Sequence, residues 1–349
     1  MAHSSKPDEQ HEGRRAVQIP DLFSSIMASK PVVNPNYSEV KAEGDEFIAR
    51  IMKMDEKANA KNRKVDFGYL GSIWVPDADK EALTAMFNWC YWLFFFDDEF
   101  DEGHLKDDPV AAQEEINETM AIMQEDVPLI DPHVYPIRYL FQLCWLWVKQ
   151  RASIELQQRY KEQHKRYFDQ VVVQSQQVAK GEVLSRDIQT YLEVRLATVA
   201  VYPVIPLVQC IWGVELPERV ISHNSLQERI QVSAELTLMA NDILSCRKDA
   251  ELGVDHNLIP LLVEQGMSAQ QSVDKIGAMV DDCYKRWYTA LAELPSYGEK
   301  IDRQVLLFVE ICRSIPLGNL YWSFKTSRYL GSEEESRSVR ETRTLHLPY

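Results

Sequence analysis

The stretch ALTAMFNWCYWLFFFDDEFDE, residues 82 to 102, joins an apolar run of helical length to a block of acids. Residues 82 to 96 are apolar on nearly every face, so the helix they predict belongs inside a bundle and not on its surface. Asp97, Asp98 and Asp101 then fall at its C-terminal end, where the helix dipole is already negative. Something positive must compensate. A solvated helix end is the plain alternative, because an acid-acid-x-x-acid pattern arises by chance about once in a chain this acidic. The sharper reading rests on spacing. Asp97 and Asp101 are four apart, share one helix face, and offer carboxylate oxygens suited to a hard divalent cation such as Mg²⁺.

Composition narrows what such a site serves. The chain has 349 residues, 45% of them hydrophobic, enough to bury a large core. Lys and Arg number 38 against 53 Asp and Glu, and the net charge of -15 repels a nucleic-acid backbone. Cys90, Cys144, Cys210, Cys246, Cys283 and Cys312 are scattered through apolar segments with no CxxC spacing, which predicts small core residues in a reducing, cytoplasmic setting. The first sixteen residues are polar and lack the apolar stretch of a signal peptide. No uncharged, wholly apolar window of about 18 residues stands out as a membrane span.

Apolar residues recur at helical spacing from Tyr37 onward, then over 82–96, 110–123, 135–148, 152–179, 186–212, 225–249, 257–264, 269–290 and 302–326, which predicts roughly ten helices. Breaks are expected at Pro76-Asp77-Ala78-Asp79, Pro128, Pro132, Gly181, Gly213, Pro217 and Gly266-Met267-Ser268. No run of short alternating strands and no repeat period stands out. The expectation is an all-α bundle: one domain over 17–331, a disordered segment over 1–16, and a polar tail over 332–349.

A second donor cluster lies in NDILSCRKD, residues 241 to 249. Asn241, Ser245 and Asp249 are spaced by four and four, so an amide oxygen, a hydroxyl and a carboxylate point to one side of a helix. Asn and Ser are indifferent helix formers, and a polar stripe beside the apolar LTLMA of 236–240 needs partners if it is buried. Lys248 is placed to neutralise phosphate, and Asp242 to support. Arg328 and Tyr329 add a fork of donors and a phenol at the end of the last apolar helix. Arg195 is a lone cation in an apolar helix that runs into Pro203 and Pro206. By itself it reads as an ion pair with Glu193 or a distant acid, while the prolines free backbone groups near a cavity.

Together these pieces resemble the class I terpene synthase family, in its single-domain, fungal-looking form, over essentially the whole domain. The aspartate-rich DDxxD motif matches Asp97-Asp98-Glu99-Phe100-Asp101, the NDxxSxxxE motif matches Asn241 to Asp249, and the Arg-Tyr pair matches Arg328-Tyr329. The resemblance implies metal ligation by Asp97, Asp101, Asn241, Ser245 and Asp249, with Asp98 assisting, and a full set of three Mg²⁺, for which Mn²⁺ is a substitute. It makes Arg195 the diphosphate-sensing arginine and Lys248, Arg328 and Tyr329 its companions. One departure is visible: Asp249 stands where the family usually has Glu.

The reaction so implied is ionisation of an allylic prenyl diphosphate, with farnesyl diphosphate the first choice and geranyl diphosphate the alternative; a cyclic product and a linear alcohol both stay open. The cation that follows needs a dry cavity with aromatic faces. Phe94 and Trp322 are the aromatics expected there, with Thr198, Val199 and Ala200 near the helix break, while Phe95 and Phe96 pack between helices. The segment after the aspartate-rich motif and the tail beyond Arg328 are expected to close over the diphosphate. A chain-elongating prenyltransferase is a poorer match, because no second DDxxD replaces Asn241 to Asp249. A non-catalytic helical protein leaves the spacing unexplained. The expected assembly is a monomer or homodimer.

Overall fold

The computed structural model describes residues 14–106, 108–124, 126–181, 187–254 and 256–349. Its elements in chain order are β1 (Arg15–Gln18), α1 (Tyr37–Ile51), α2 (Glu56–Val65), α3 (Phe67–Trp74), α4 (Lys80–Asp101), α5 (Pro109–Gln124), α6 (Pro136–Arg151) and α7 (Ile154–Ala179). There follow α8 (Ile188–Thr198), α9 (Val201–Trp212), α10 (Glu218–Ile221), α11 (Asn224–Leu252), α12 (Leu258–Glu264), α13 (Ala269–Ala292), α14 (Glu299–Lys325), α15 (Glu333–Thr342) and β2 (Thr344–Leu347). The all-α class predicted from the periodicity holds, with one small ribbon added.

Helix ends fall where capping chemistry puts them. Asp79 starts α4, its carboxylate accepting from the Ala82 amide at 2.8 Å. Ser268 and Gln271 form a reciprocal capping box on α13. The stretch expected as one helix over 186–212 is two, because Ala200 takes φ +60° and stops α8. Pro203 explains the break: it has no N–H for the Val199 carbonyl, and its ring collides with that carbonyl if the helix continues. Ile188–Trp212 is long and apolar enough in composition to cross a membrane, yet it is broken at Ala200 and lies 61% buried against other helices. Core packing accounts for its composition.

Two helices not read from the periodicity, α2 and α3, meet at Asp66. This residue adopts φ +58°, ends α2, and caps α3 by accepting from the Tyr69 amide at 3.1 Å. A lysine-rich helix followed by an eight-residue one carries little periodic signal, so the junction escapes a pattern search.

The apolar run 82–96 is the inner part of α4. Trp89, Cys90 and Trp92 are fully buried, as an all-round apolar helix requires, and α4 packs against α1, α3 and α6. Phe96 is buried against Trp92, Tyr167 and Phe168, and Phe95 lies edge-on to Phe67, so both pack between helices. The other long core helix, α11, is flanked by α13 and α14. All six cysteines are unpaired, five of them buried.

The expected boundaries at 16 and 331 do not match the structure. Residues 332–349 form α15 and β2, and β2 pairs antiparallel with β1 from Arg15↔Leu347 to Gln18↔Thr344. Val339, Leu345 and Leu347 turn inward and are buried, while Arg247 grips Glu335 at 2.6 Å. The segment looked like a tail because most of its residues face outward and its strand is too short for alternation to register. Residues 1–13 of the expected disordered segment lie outside the described residues.

Candidate active site

A cavity of about 430 Å³ opens among α4, α8, α11 and the end of α14, within the range of small-molecule sites. Asp97 and Asp101 line it from the last turn of α4, and Asn241, Ser245, Lys248 and Asp249 line it from α11. Arg195, Arg328 and Tyr329 complete the polar rim. The fold therefore brings nine of the polar residues singled out from the sequence to one cavity, leaving Asp98 and Asp242 behind it.

Two of the acids at the negative end of α4, Asp98 and Glu102, have a cationic partner. Arg328 grips Asp98 with both arms, at 2.6 and 3.3 Å, so Asp98 faces Arg328 and is not among the lining residues. Lys248 reaches across from α11 to Glu102 at 2.8 Å, so that acid is not simply solvated. Asp97 is held above the usual carboxylate range by burial first and then by the charges of Asp101 and Asp98, with Arg195 and Arg328 opposing. Asp101 is likewise pushed up by burial, with Lys248 and Arg195 opposing. Asp97 also accepts a long hydrogen bond from Tyr167, at 3.5 Å.

The α11 cluster is tied together from within. Ser245 Oγ donates to Asp249 Oδ2 at 2.5 Å, and Asn257 Nδ2 donates to the same oxygen at 3.0 Å. Asn241 gives its amide N–H to the Tyr329 hydroxyl at 3.2 Å, leaving its Oδ1 to accept from Arg195 at 3.3 Å. Asp242 does not line the cavity; it is a buried anchor that accepts from the Tyr191 hydroxyl at 2.5 Å and the Leu258 amide at 3.0 Å. It lies 3.5 Å from Arg195, whereas Glu193 turns to Gln189. Of the two partners open to Arg195, Glu193 or a distant acid, the fold supplies the distant acid, Asp242, on another helix.

Apolar side chains, Leu70, Leu93, Val201 and Val204 among them, make up much of the remaining lining. Phe94 faces the cavity and stacks on Phe67, centroids 4.2 Å apart and planes 14° apart. Thr198, Val199 and Ala200 line it at the helix break, as expected. Trp322 does not. It is 0% exposed, its Nε1 donates to the Val65 carbonyl at 2.8 Å, and Phe94 stands 5.0 Å from it in a ring cluster with Phe67. Trp322 is thus a backing for Phe94. The indole that lines the cavity is Trp74, whose Nε1 donates to the Ile315 carbonyl at 3.0 Å. Gly318 permits this placement, since a Cβ there lies 2.7 Å from the indole ring.

Tyr167, Tyr191, Trp74 and Asn257 escaped the sequence reading because each is a single residue without a motif. Asn257 had one legible trait: it is the N-cap of α12, its Oδ1 accepting from the Ile259 amide at 3.0 Å. That cap leaves Nδ2 free to hold Asp249. Among the described residues no three His, Cys, Asp or Glu side chains converge as a metal cluster. The oxygen donors instead form an acid pair on α4 and a mixed amide, hydroxyl and carboxylate set on α11, a chemistry suited to a hard cation.

The family described as "Terpene synthase family 2, C-terminal metal binding" matches residues 88–286, a span holding both donor clusters. The chain belongs to the terpene synthase family. It is 45% identical to a (+)-eremophilene synthase of Gibberella fujikuroi, over 95% of this chain and 92% of that one. It is 38% identical to a (1R,4R,5S)-(-)-guaia-6,10(14)-diene synthase of Fusarium proliferatum, over 99% and 90%. The solved structure of germacradien-4-ol synthase from Streptomyces citricolor shares the fold at a TM-score of 0.73 and 17% identity, covering 87% of this chain and 99% of that one. The chain is therefore a terpene synthase enzyme of a metal-binding family, and the family implies a prenyl diphosphate substrate.

Proposed function

We propose that this terpene synthase ionises farnesyl diphosphate with Mg²⁺ and converts the resulting cation to a sesquiterpene. One observation carries the reading: two oxygen clusters and three cations, Arg195, Lys248 and Arg328, line the same cavity as the apolar Leu70, Trp74, Leu93, Phe94, Val201 and Val204. A charged head and a hydrocarbon chain match that division. The relatives that make eremophilene and guaiadiene favour a fifteen-carbon substrate.

The donor set fits a hard cation, because every candidate ligand atom is an oxygen and Asp97 and Asp101 line one cavity with Asn241, Ser245 and Asp249. Asp97 and Asp101 on one side, and Asn241, Ser245 and Asp249 on the other, would hold the ions, three by family resemblance, with Mn²⁺ as a substitute. Bound there, Mg²⁺ supplies Lewis-acid stabilisation of the leaving diphosphate. The chain itself contributes the remaining donors. Arg195, Lys248, Arg328 and Tyr329 donate to diphosphate oxygens, whose negative charge grows as the allylic C–O bond breaks and its electron pair departs with the diphosphate. Asp98 keeps the Arg328 fork aimed at the rim.

The cation left behind meets a wall without competing nucleophiles at Phe94, Trp74, Leu70 and Val204. Phe94 presents a π-face held flat by Phe67, and the C-terminal end of α8 at Thr198 and Val199 adds carbonyl dipoles, one of which Pro203 leaves without its helical donor. Loss of a proton then gives a hydrocarbon. One chain supplies both donor clusters and the apolar wall, which suits a monomer, and the unpaired cysteines suit a reducing cytoplasm.

The test is incubation of purified protein with geranyl, farnesyl and geranylgeranyl diphosphates plus Mg²⁺, with gas chromatography of the extract. A C15 hydrocarbon from the farnesyl substrate, abolished by EDTA and restored by Mg²⁺, is the expected result. A lengthened diphosphate, or no product from any substrate, overturns it.

A further inference from the structure

His256 lies in the loop between α11 and α12, is 6% exposed, and lines the cavity. Neither of its ring nitrogens has a hydrogen-bond partner among the described residues. A buried imidazole left in that state forfeits the free energy of its lost hydration, so a ligand is the natural source of the missing partner. Arg195 lines the same cavity and its charge reaches the imidazole; its NH2 is engaged with Asn241 and Asp242 while its Nε has no acceptor. Two orphaned donors from different parts of the chain thus line one cavity. Burial first, and then the Arg195 charge, push the imidazole down to about 3, which leaves it neutral with one N–H to give. A cationic ligand is repelled by Arg195; an anion with several acceptor oxygens matches both donors.

The backbone around His256 is fixed for such a task. The adjacent Asn257 is tied by its Nδ2 to the Asp242 carbonyl at 2.8 Å and to Asp249 of the α11 cluster at 3.0 Å. From this placement we propose that His256 is a diphosphate-binding residue, its imidazole N–H acting together with Arg195 Nε on the oxygens of the leaving group. The assignment rests on the diphosphate reading given above and adds a donor outside the aspartate-rich, NDxxSxxxE and Arg-Tyr motifs.

Titration calorimetry of the full chain with inorganic pyrophosphate in Mg²⁺ tests it, together with KM and product ratios for farnesyl diphosphate. His256→Ala and the bulk-preserving His256→Phe should each weaken pyrophosphate binding about 10- to 100-fold, the loss expected for a hydrogen bond to a charged group. His256→Asn, which keeps an N–H donor, should stay within about threefold of wild type. KM should rise in step while product ratios hold. If the Ala variant fails to fold, the Phe and Asn pair decides by the same contrast. Unchanged affinity in the Phe variant overturns the proposal, and a changed product ratio at unchanged affinity assigns His256 to the wall or to proton removal instead. Arg328→Ala separates the two layers of argument. Wild type that binds no pyrophosphate sinks the diphosphate reading and this proposal together, whereas loss of binding in Arg328→Ala alone sinks only the role of His256.

Discussion

The two oxygen clusters at the cavity mouth are held in different ways. On α11, Asp249 receives hydrogen bonds from Ser245 and Asn257, and Asn241 is tied to Tyr329 and Arg195, so the donor set is oriented before anything binds. On α4, Asp97 has one long contact from Tyr167, and no hydrogen bond among the described residues holds Asp101. Both α4 acids are pushed up by burial at a helix end that is already negative. The difference teaches a division between orientation and response. The α11 set is preorganised by its own network, while the α4 pair depends on arriving positive charge.

That contrast can be broken at either side. Asp97→Ala and Asn241→Ala should each lower turnover of farnesyl diphosphate by more than about 100-fold, beyond the loss typical of residues that merely orient a ligand. Circular dichroism should show unchanged helicity; retained turnover in both variants removes the metal assignment. Next in size, Asn257→Ala strips the donor that orients Asp249 and should cost about 10- to 100-fold in apparent Mg²⁺ affinity, measured as the Mg²⁺ dependence of initial rate. An unchanged Mg²⁺ dependence would show that α11 needs no orienting network.

Asp249→Glu sharpens the comparison from the other direction. The longer side chain restores the family's usual ligand but displaces the carboxylate from Ser245 and Asn257, so a shift of a few-fold in the ratio of Mg²⁺- to Mn²⁺-supported rates is expected, roughly one lost hydrogen bond in size. Equal ratios in both proteins would mean that reach at this position is immaterial. The smallest effect belongs to Tyr167→Phe. A 3.5 Å contact is worth little, and kcat/KM should fall by at most about threefold. A larger loss would show that α4 is oriented in advance as well, and the contrast would vanish.

Much of this protein is written in short-range pattern. The all-round apolarity of residues 82–96 predicts a buried helix, and α4 is one. Spacings of four place Asp97 with Asp101, and Asn241 with Ser245 and Asp249, on single faces that the fold turns to one cavity. Caps at Asp79 and Ser268 were legible because an N-cap is a local bond between residues three apart. The failures share a cause. Trp322 is on a cavity-facing helix, yet Phe94 and Phe67 from two other helices stand beside it and close it off. The segment after Gly331 reads as a tail until its strand finds β1, more than 300 residues away.

The sequence by itself determined the helical class, the donor atoms at the rim and the spacing that presents them, since all of these follow from helix periodicity within a few turns. Only the tertiary structure decided what surrounds those donors. Asp98 faces Arg328, Asp249 meets Asn257, Arg195 finds Asp242 in place of Glu193, and Trp74 takes the wall position because Gly318 has no Cβ to exclude it. Each of these partners is distant along the chain or carries no motif, and packing selects among such partners by contact across helices, which no local pattern encodes.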